Sequence, residues 1–457
     1  MSSFWLEFIL GALYVVLGPC AWLALALAMF KGRKRMRLLD RPPQPPSPLP
    51  APPPRVSVLV PAKDEASQIG ACVESILRQD YPELEVIAVD DRSADGTGAV
   101  LDEIAARDAR VKVLRVRPAQ LPAGWGGKNF ALHRGIARAR GEWLLFVDAD
   151  VRLQPDAVRA ALVVAEGRRF DLLSLLPRFA AGGFWEGLLQ PLAGAATGAM
   201  FAVALTNANA SRAAFANGQF MLVRRAAYER VGGHAAVRGT LSEDVALARR
   251  LKRAGLRPRL AWGDALASVR MYDSPGALVR GWARNFSMGQ RARAWRILAA
   301  AAYVVLCGFS CYAAFAWGVY RNAHPLIAIG GWGWVATAVV HWIAMTALLA
   351  AVYAWAHSRR AYALLFPLGG TMLFAIFMRS LVMSVTGRVE WRGTSYTRRD
   401  LAEQRGRARL LPSRVFRKGS ARPEPRPPGH VDAGFGSRPK PDRGARRSPA
   451  RSTAPPP

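Results

Sequence analysis

Cysteine and histidine are scarce in this chain of 457 residues, with four and six, and acids are half as numerous as bases, 32 against 63. Each shortage excludes something. Cys20, Cys72, Cys307 and Cys311 form no CxxC pair and have no His or Cys cluster beside them, so no zinc site is expected. Cys307 and Cys311 share one face of an apolar helix, where small residues serve packing. No disulfide framework is expected, which suits a cytoplasmic catalytic part. A formal charge of +31 would point to nucleic acid if the bases formed a stripe on a soluble fold. Instead they flank apolar segments and crowd into the last seventy residues. That layout fits an anionic membrane surface, and no nucleic-acid partner is expected.

Apolar sequence is abundant. Residues 4–30 hold one acid, Glu7, and otherwise almost only apolar side chains, more than the roughly 20 that cross a bilayer. Lys31-Gly32-Arg33-Lys34-Arg35-Met36-Arg37 follows. A cleavable signal peptide carries its charge ahead of the apolar stretch, so residues 1–37 read as a retained anchor whose basic flank keeps the next domain in the cytoplasm. Residues 38–54, rich in proline, form a stiff spacer. Runs of spanning length return at 297–320, 326–356 and 361–386, so 296–387 read as transmembrane helices. The tail, 388–457, carries 18 Lys and Arg against 6 acids; from about Ser413 it has no apolar periodicity and is expected to be disordered. One anchor and three spans would put this basic tail opposite the catalytic domain, against the positive-inside rule. The conflict disappears if one segment is re-entrant, and 361–386 is the suspect because Pro367-Leu368-Gly369-Gly370 interrupts it. The span count stays open.

Residues 55–295 alternate differently. Apolar strands at 56–60, 84–89, 111–115 and 143–147 are separated by helical stretches at 69–78, 98–106 and 128–140, and strand character resumes at 172–175. Strands and helices in turn predict an α/β fold, a doubly wound sheet of βαβ units. Residues 187–211, almost uncharged, contain Pro191 and Asn207 and are expected to be a buried or membrane-grazing helix pair.

Two acidic clusters end strands in this region, Asp90-Asp91-Arg92-Ser93-Ala94-Asp95 and Asp148-Ala149-Asp150. Ligands of open α/β sheets bind in the crevice outside the carboxyl ends of the strands, so acidic strand ends suggest a nucleotide and a divalent cation. One such Asp is ordinarily a helix cap or a turn residue, but Asp148 and Asp150, two apart on a bending backbone, can both reach one ion. Gly126-Gly127-Lys128 brings amides and an ammonium to a helix start, which favours phosphate. In Ser242-Glu243-Asp244 a carboxylate able to take a proton competes evenly with an N-cap and its acidic first turn.

Together these segments resemble the membrane-bound family 2 glycosyltransferases of GT-A fold, over roughly residues 55–300 and more loosely to Trp391. The likeness is greatest to hopanoid-associated and carotenoid or sphingolipid glycosyltransferases. It implies that Pro61, Ala62 and Glu65 of Val58-Leu59-Val60-Pro61-Ala62-Lys63-Asp64-Glu65 border the nucleoside, although Asp64 stands where Asn is usual. It implies that Asp91 accepts from the donor base or ribose, and that Lys128 and Asp148 approach the donor diphosphate. Asp148-Ala149-Asp150 matches the family's DxD motif, with Mg²⁺ or Mn²⁺ at Asp148 and Asp150. Asp244 is the implied base and Glu243 its neighbour. Ala216-Asn217-Gly218-Gln219-Phe220 is similar to the acceptor-pocket loop, which implicates Gly218 and Gln219. Arg280, Trp282 and Arg284, and the stretch Gln290 to Trp295, echo a QxxRW motif without its spacing; acceptor contact and plain interface anchoring stand level there.

The sequence thus predicts an inverting, metal-dependent transferase moving a sugar from a nucleotide donor, UDP-linked by resemblance, to a lipid at the cytoplasmic leaflet. Two alternatives stay open. A processive polysaccharide synthase is disfavoured by few spans and the imperfect QxxRW; a nonenzymatic membrane scaffold would use the basic tail.

Overall fold

A computed structural model describes residues 2–39, 51–272, 274–289, 294–324 and 331–386, with two short strands beyond. Most of the proline-rich spacer, the tail from Thr397 onward, Gln290–Arg293 and Arg392–Gly393 lie outside the described residues.

The first apolar stretch, expected as an anchor, is built of two helices. α1 (Ser2–Val15) meets α2 (Ala21–Met36) through a π turn at Val16–Cys20. Gly18 leaves helical geometry at φ −91°, ψ −105°, and Pro19 follows, so the ladder loses a donor and kinks. α2 does not stop before the basic flank but runs through it, with Arg33, Lys34 and Arg35 in its last turn, where cations suit the helix dipole.

The α/β region then begins. In order come β1 (Val56–Ala62), α3 (Ala66–Leu77), β2 (Leu84–Asp91), α4 (Thr97–Arg107), β3 (Val111–Val116), α5 (Gly127–Ile136) and β4 (Trp143–Phe146). β1, β2 and β4 are buried almost throughout, as strands covered on both faces must be. There follow β5 (Val151–Leu153), α6 (Ala157–Gly167), β6 (Leu172–Leu176), β7 (Arg178–Phe179), α7 (Phe184–Met200), β8 (Met221–Arg224), α8 (Arg225–Arg230), α9 (Glu243–Arg253), β9 (Pro258–Trp262) and β10 (Ala267–Val269). Seven strands form one sheet in the order β3-β2-β1-β4-β8-β6-β9. β3, β2, β1 and β4 are parallel, and β8 runs antiparallel to both β4 and β6. The carboxyl ends of β2, β1 and β4 therefore share one edge, and Asp91, Ala62 and Asp148 arrive there together. β5, β10 and β7 make a small second sheet.

The helix pair expected at 187–211 is a single helix, α7, followed by one 3₁₀ turn at Val203–Leu205. Pro191 does not break it. A proline frees the carbonyl four residues back, and the Ser358 hydroxyl donates to Gly187 O at 2.8 Å in its place. The Tyr353 hydroxyl donates to the neighbouring Leu188 O at 2.8 Å.

After α10 (Pro275–Gly289) come α11 (Ala294–Tyr303), a π turn at Val304–Phe309, α12 (Ser310–Ala323), α13 (Gly331–Trp355) and α14 (Phe366–Thr386). Pro367 lies in the first turn of α14, where no donor is lost, so the interruption expected at Pro367–Gly370 is absent and the helix continues for 21 residues. Among the described residues four helical stretches are long and apolar enough to cross a membrane: Trp5–Met36, Ala294–Ala323, Gly331–Trp355 and Arg360–Thr386. β11 (Val389–Trp391) and β12 (Thr394–Tyr396) pair antiparallel beyond them. The cysteines are free.

Candidate active site

Lys128, one residue into α5, is the hub. Its Nζ lies 2.6 Å from Asp148 Oδ1, just past β4, and 2.8 Å from Glu243 Oε1, the first residue of α9. Asp244 is beside them: Oδ2 accepts from the Gly218 N–H at 2.9 Å and Oδ1 from the Val245 N–H at 2.7 Å. One ammonium thus serves three carboxylates. Burial works against the charge on Lys128, but Asp148, Glu243 and Asp244 together hold its pKa above the usual lysine range. Burial, then repulsion from Glu243, pushes Asp244 up from 3.8 to about 7.

At Ser242 the structure shows features of both readings, since Glu243 and Asp244 do occupy the first turn of α9. Ser242 occupies the N-cap position of α9 but makes no side-chain capping bond. The two acids that follow turn to Lys128 and to the Gly218 loop. α9 starts at Glu243.

The supporting residues were not legible as a set. Asn129 Nδ2 lies within 3.0 Å of the carbonyls of Val237, Arg238 and Thr240, which staples α5 to the turn leading into α9. His234 is fully buried; its N–H donates to the Tyr228 hydroxyl at 2.7 Å, and that hydroxyl lies 2.8 Å from Nδ1. Burial, then the nearby charge of Lys128, lowers the His234 pKa to about 3, so it is neutral at physiological pH. Pro61 and His234 line a small recess together with Lys128, Asp148, Gly218 and Glu243. A Cβ on Gly218 would come within 3.1 Å of Lys128 Nζ, so a glycine there keeps the cluster open.

Asp91 is placed differently. It is buried, and the Arg92 guanidinium folds back onto it, Nε to Oδ1 at 2.7 Å and Nη2 to Oδ2 at 2.9 Å. Arg92 adopts φ 60° and Asp64 φ 53°. Left-handed backbone of this kind is costly for a residue other than glycine and clusters at working sites. The two strand-end loops are laced together: Asp64 Oδ1 accepts from Ala94 N at 2.8 Å, Asp95 Oδ2 from Ala66 N at 3.0 Å, and the Glu65 N–H donates to Thr97 Oγ1 at 2.8 Å. Gly127 abuts Asp91 closely enough that a Cβ would stand 2.7 Å from Oδ2. Ala62 is buried at the end of β1.

A cavity of about 840 Å³ opens from this cluster. Its polar part is lined by Lys128, Asp148, Gly218, Gln219, Glu243 and Asp244, and Trp282 and Arg284 of α10 also face it. Arg280, one turn away, is exposed and is not part of that lining. Asp150 lies outside the lining too, partly buried and within electrostatic reach of Tyr272, as is Arg284. Among the described residues no three His, Cys, Asp or Glu side chains converge to hold a metal ion. The excess of carboxylate over ammonium nevertheless fits a divalent cation that draws its other ligands from a bound diphosphate.

Residues 52–285, just over half of the chain, match the family described as glycosyltransferase like family 2. The chain belongs to that family. The 4,4'-diaponeurosporenoate glycosyltransferase of Staphylococcus aureus (strain MRSA252) is 28% identical over 254 residues, 54% of this chain and 64% of that protein. Glycosyltransferase GlyG of Streptococcus pneumoniae serotype 4 is 38% identical over 95 residues, 21% of this chain and 30% of that protein. The chain thus spans less than two thirds of the length of these curated relatives. Among solved structures, the mannosyltransferase PcManGT from Pyrobaculum calidifontis, in complex with GDP-Man and Mn²⁺, is 20% identical with a TM-score of 0.48, covering 82% of this chain and 99% of that one. The mixed sheet is of the doubly wound α/β class that the sequence predicts.

Proposed function

We propose that this protein is an inverting glycosyltransferase that transfers a sugar from a UDP-sugar to a lipid acceptor at the cytoplasmic face of a membrane. The observation that carries the reading is the cavity itself. One continuous space of about 840 Å³ is lined by Lys128, Asp148 and Asp244 and also by Leu25 and Met29 of α2 and Val352 of α13. A charged floor that runs into the sides of membrane-length helices suits a donor in water and an acceptor in lipid. In this reading residues 55–295 are the catalytic domain, 1–37 and 296–387 hold it at the membrane, and 38–54 and 388–457 are spacer and basic tail.

Asp244 is the base. Backbone donors on both of its oxygens orient the carboxylate, and its raised pKa matches a group that must take a proton near neutral pH. The acceptor hydroxyl gives its proton to Asp244 as its oxygen attacks the anomeric carbon from the face opposite UDP. The Lys128 ammonium, beside Asp148, stands where diphosphate oxygens gather. Asp148 and Asp150 would hold Mg²⁺ or Mn²⁺, which when bound neutralises charge on the departing diphosphate. Pro61, Ala62, Glu65 and Asp91 are assigned to the donor side, and Gly218, Gln219, Trp282 and Arg284 to the acceptor side. Arg280 belongs to the acceptor group by resemblance alone.

Membranes containing the protein, incubated with a panel of UDP- and GDP-sugars and Mg²⁺ or Mn²⁺, test this by mass spectrometry of the extracted lipids. One sugar added to a lipid, lost in Asp244→Asn, is the expected outcome. A long polymer, or no consumption of any nucleotide sugar, would sink it.

A further inference from the structure

The loop that holds Asp244 has an order of its own, and it ends on a hydrogen-bond donor that the chain does not use. Asn217, Gly218 and Gln219 lead into β8 and line the cavity together. Ser174 of β6, fully buried, fixes the first of them from both sides: its hydroxyl accepts from the Asn217 N–H at 2.8 Å and donates to Asn217 O at 3.1 Å. The next amide along, that of Gly218, is the one on Asp244 Oδ2.

The two side-chain amides are then oriented by elimination. The Gln219 backbone N–H can only donate, and it meets the Asn217 side chain at 3.2 Å, so the atom it meets is the carbonyl oxygen Oδ1. The other arm of Asn217 is therefore the NH₂, a donor only, and it lies 2.9 Å from the Gln219 side chain, which must turn its carbonyl Oε1 to it. That leaves Nε2 as the arm of Gln219 with no acceptor among the described residues. Gln219 is only 7% exposed, and a donor buried in this way is unfavourable until a ligand supplies an acceptor. In the transferase reading the diphosphate oxygens go to Lys128 and the cation. The oxygens left for a neutral amide donor are hydroxyls.

We propose that Gln219 is a fixed donor to a hydroxyl oxygen of the substrates, on the transferred sugar or on the acceptor, and that Asn217 is the positioning residue that sets which end of the Gln219 amide faces them. This rests on the transferase reading of the cavity. It adds a polarity to the contact and a residue, Asn217, that acts through another.

Membranes containing the full-length protein, supplied with the nucleotide sugar that the wild type consumes, give kcat/KM. The purified protein in nanodiscs gives the binding of that nucleotide sugar and of its nucleoside diphosphate. Gln219→Met keeps the length of the side chain and removes both amide arms, so kcat/KM falls about three- to tenfold, as for one neutral hydrogen bond, while nucleoside diphosphate binding is unchanged. Asn217→Asp keeps an acceptor for the Gln219 N–H but turns the Gln219 amide over. It lowers kcat/KM to a similar extent on its own and by less than about twofold in the Gln219→Met background, since residues that act through one another are not additive. Weaker binding of the nucleotide sugar by Gln219→Met places the hydroxyl on the transferred sugar; unchanged binding with slower transfer places it on the acceptor. An unaltered kcat/KM in Gln219→Met, an equal cost of Asn217→Asp in both backgrounds, or nucleoside diphosphate binding that falls as far as kcat/KM would each overturn the inference. If the wild type consumes a nucleotide sugar while this pattern fails, only the role of the loop falls; if the wild type consumes none, the transferase reading falls and takes this one with it.

Discussion

The cleft at the sheet edge and the bundle of apolar helices both bury polar side chains, but they treat them in opposite ways. In the bundle several such groups are paired from one helix to another. Glu7 of α1 pairs with Arg321 of α12, which is only 2% exposed. Tyr14 lies 3.1 Å from His341 Nδ1, and His341 Nε2 lies 2.9 Å from Cys307 O, a carbonyl in the π turn that also accepts from Trp22. In the cleft the charges are left unbalanced, with Asp148, Glu243 and Asp244 gathered on one Lys128 beside open space. Burying unmatched charge costs stability, so its persistence at a cavity marks a place kept for a charged ligand. Matched pairs in the bundle instead register one helix against another.

Substitutions can break or sharpen this contrast. The largest effect is expected at Asp148→Asn: if its carboxylate helps to bind a cation worth several kcal/mol to the leaving diphosphate, kcat/KM falls by about 10³ or more in steady-state transfer assays. An effect under tenfold would remove Asp148 from the reaction. Asp244→Asn comes next, with kcat lowered by about 10² to 10⁴ as for a lost general base, while equilibrium binding of UDP changes little. The pH profile checks the same residue. A base must be unprotonated, and burial raises Asp244 to about 7, so log kcat/KM should fall on the acid side of pH 7 with a slope of one and flatten above it. A profile flat down to pH 5 would contradict this. Gly218→Val pushes a side chain against Lys128 and shifts the cluster, a displacement of the kind that costs about 10²-fold in turnover. Smallest in catalysis is Glu7→Gln in the bundle: transfer should change by less than about threefold, while thermal unfolding moves down because Arg321 loses its partner. If Glu7→Gln silenced transfer as Asp148→Asn does, the distinction between the two regions would collapse.

Much of the α/β frame is legible in the residue order because β1, β2 and β4 are apolar runs ended by acids or proline, and buried strands need that composition whatever surrounds them. The short strands β5, β7 and β10 left no such mark, being two or three residues long. α7 misled for a physical reason: Pro191 predicts a break, and the hydroxyl that spares it, on Ser358, is 167 positions away in the chain and adjacent only after folding. The acidic motifs were visible as motifs, yet nothing local announces that Arg92 folds back on Asp91, or that Asn129 ties α5 to the turn before α9.

Residue order alone dictates where strands end in carboxylates, which helices can enter a bilayer and which way the charge leans, since each follows from the solvent preference of neighbouring side chains. Chain packing settled the remainder: which acids share Lys128, that both oxygens of Asp244 take backbone donors, and that the end of the first apolar segment comes round to wall the same cavity as residues more than two hundred positions later. Those relations depend on distances between remote segments, and a distance of that kind exists only once burial and hydrogen bonding have brought the segments together.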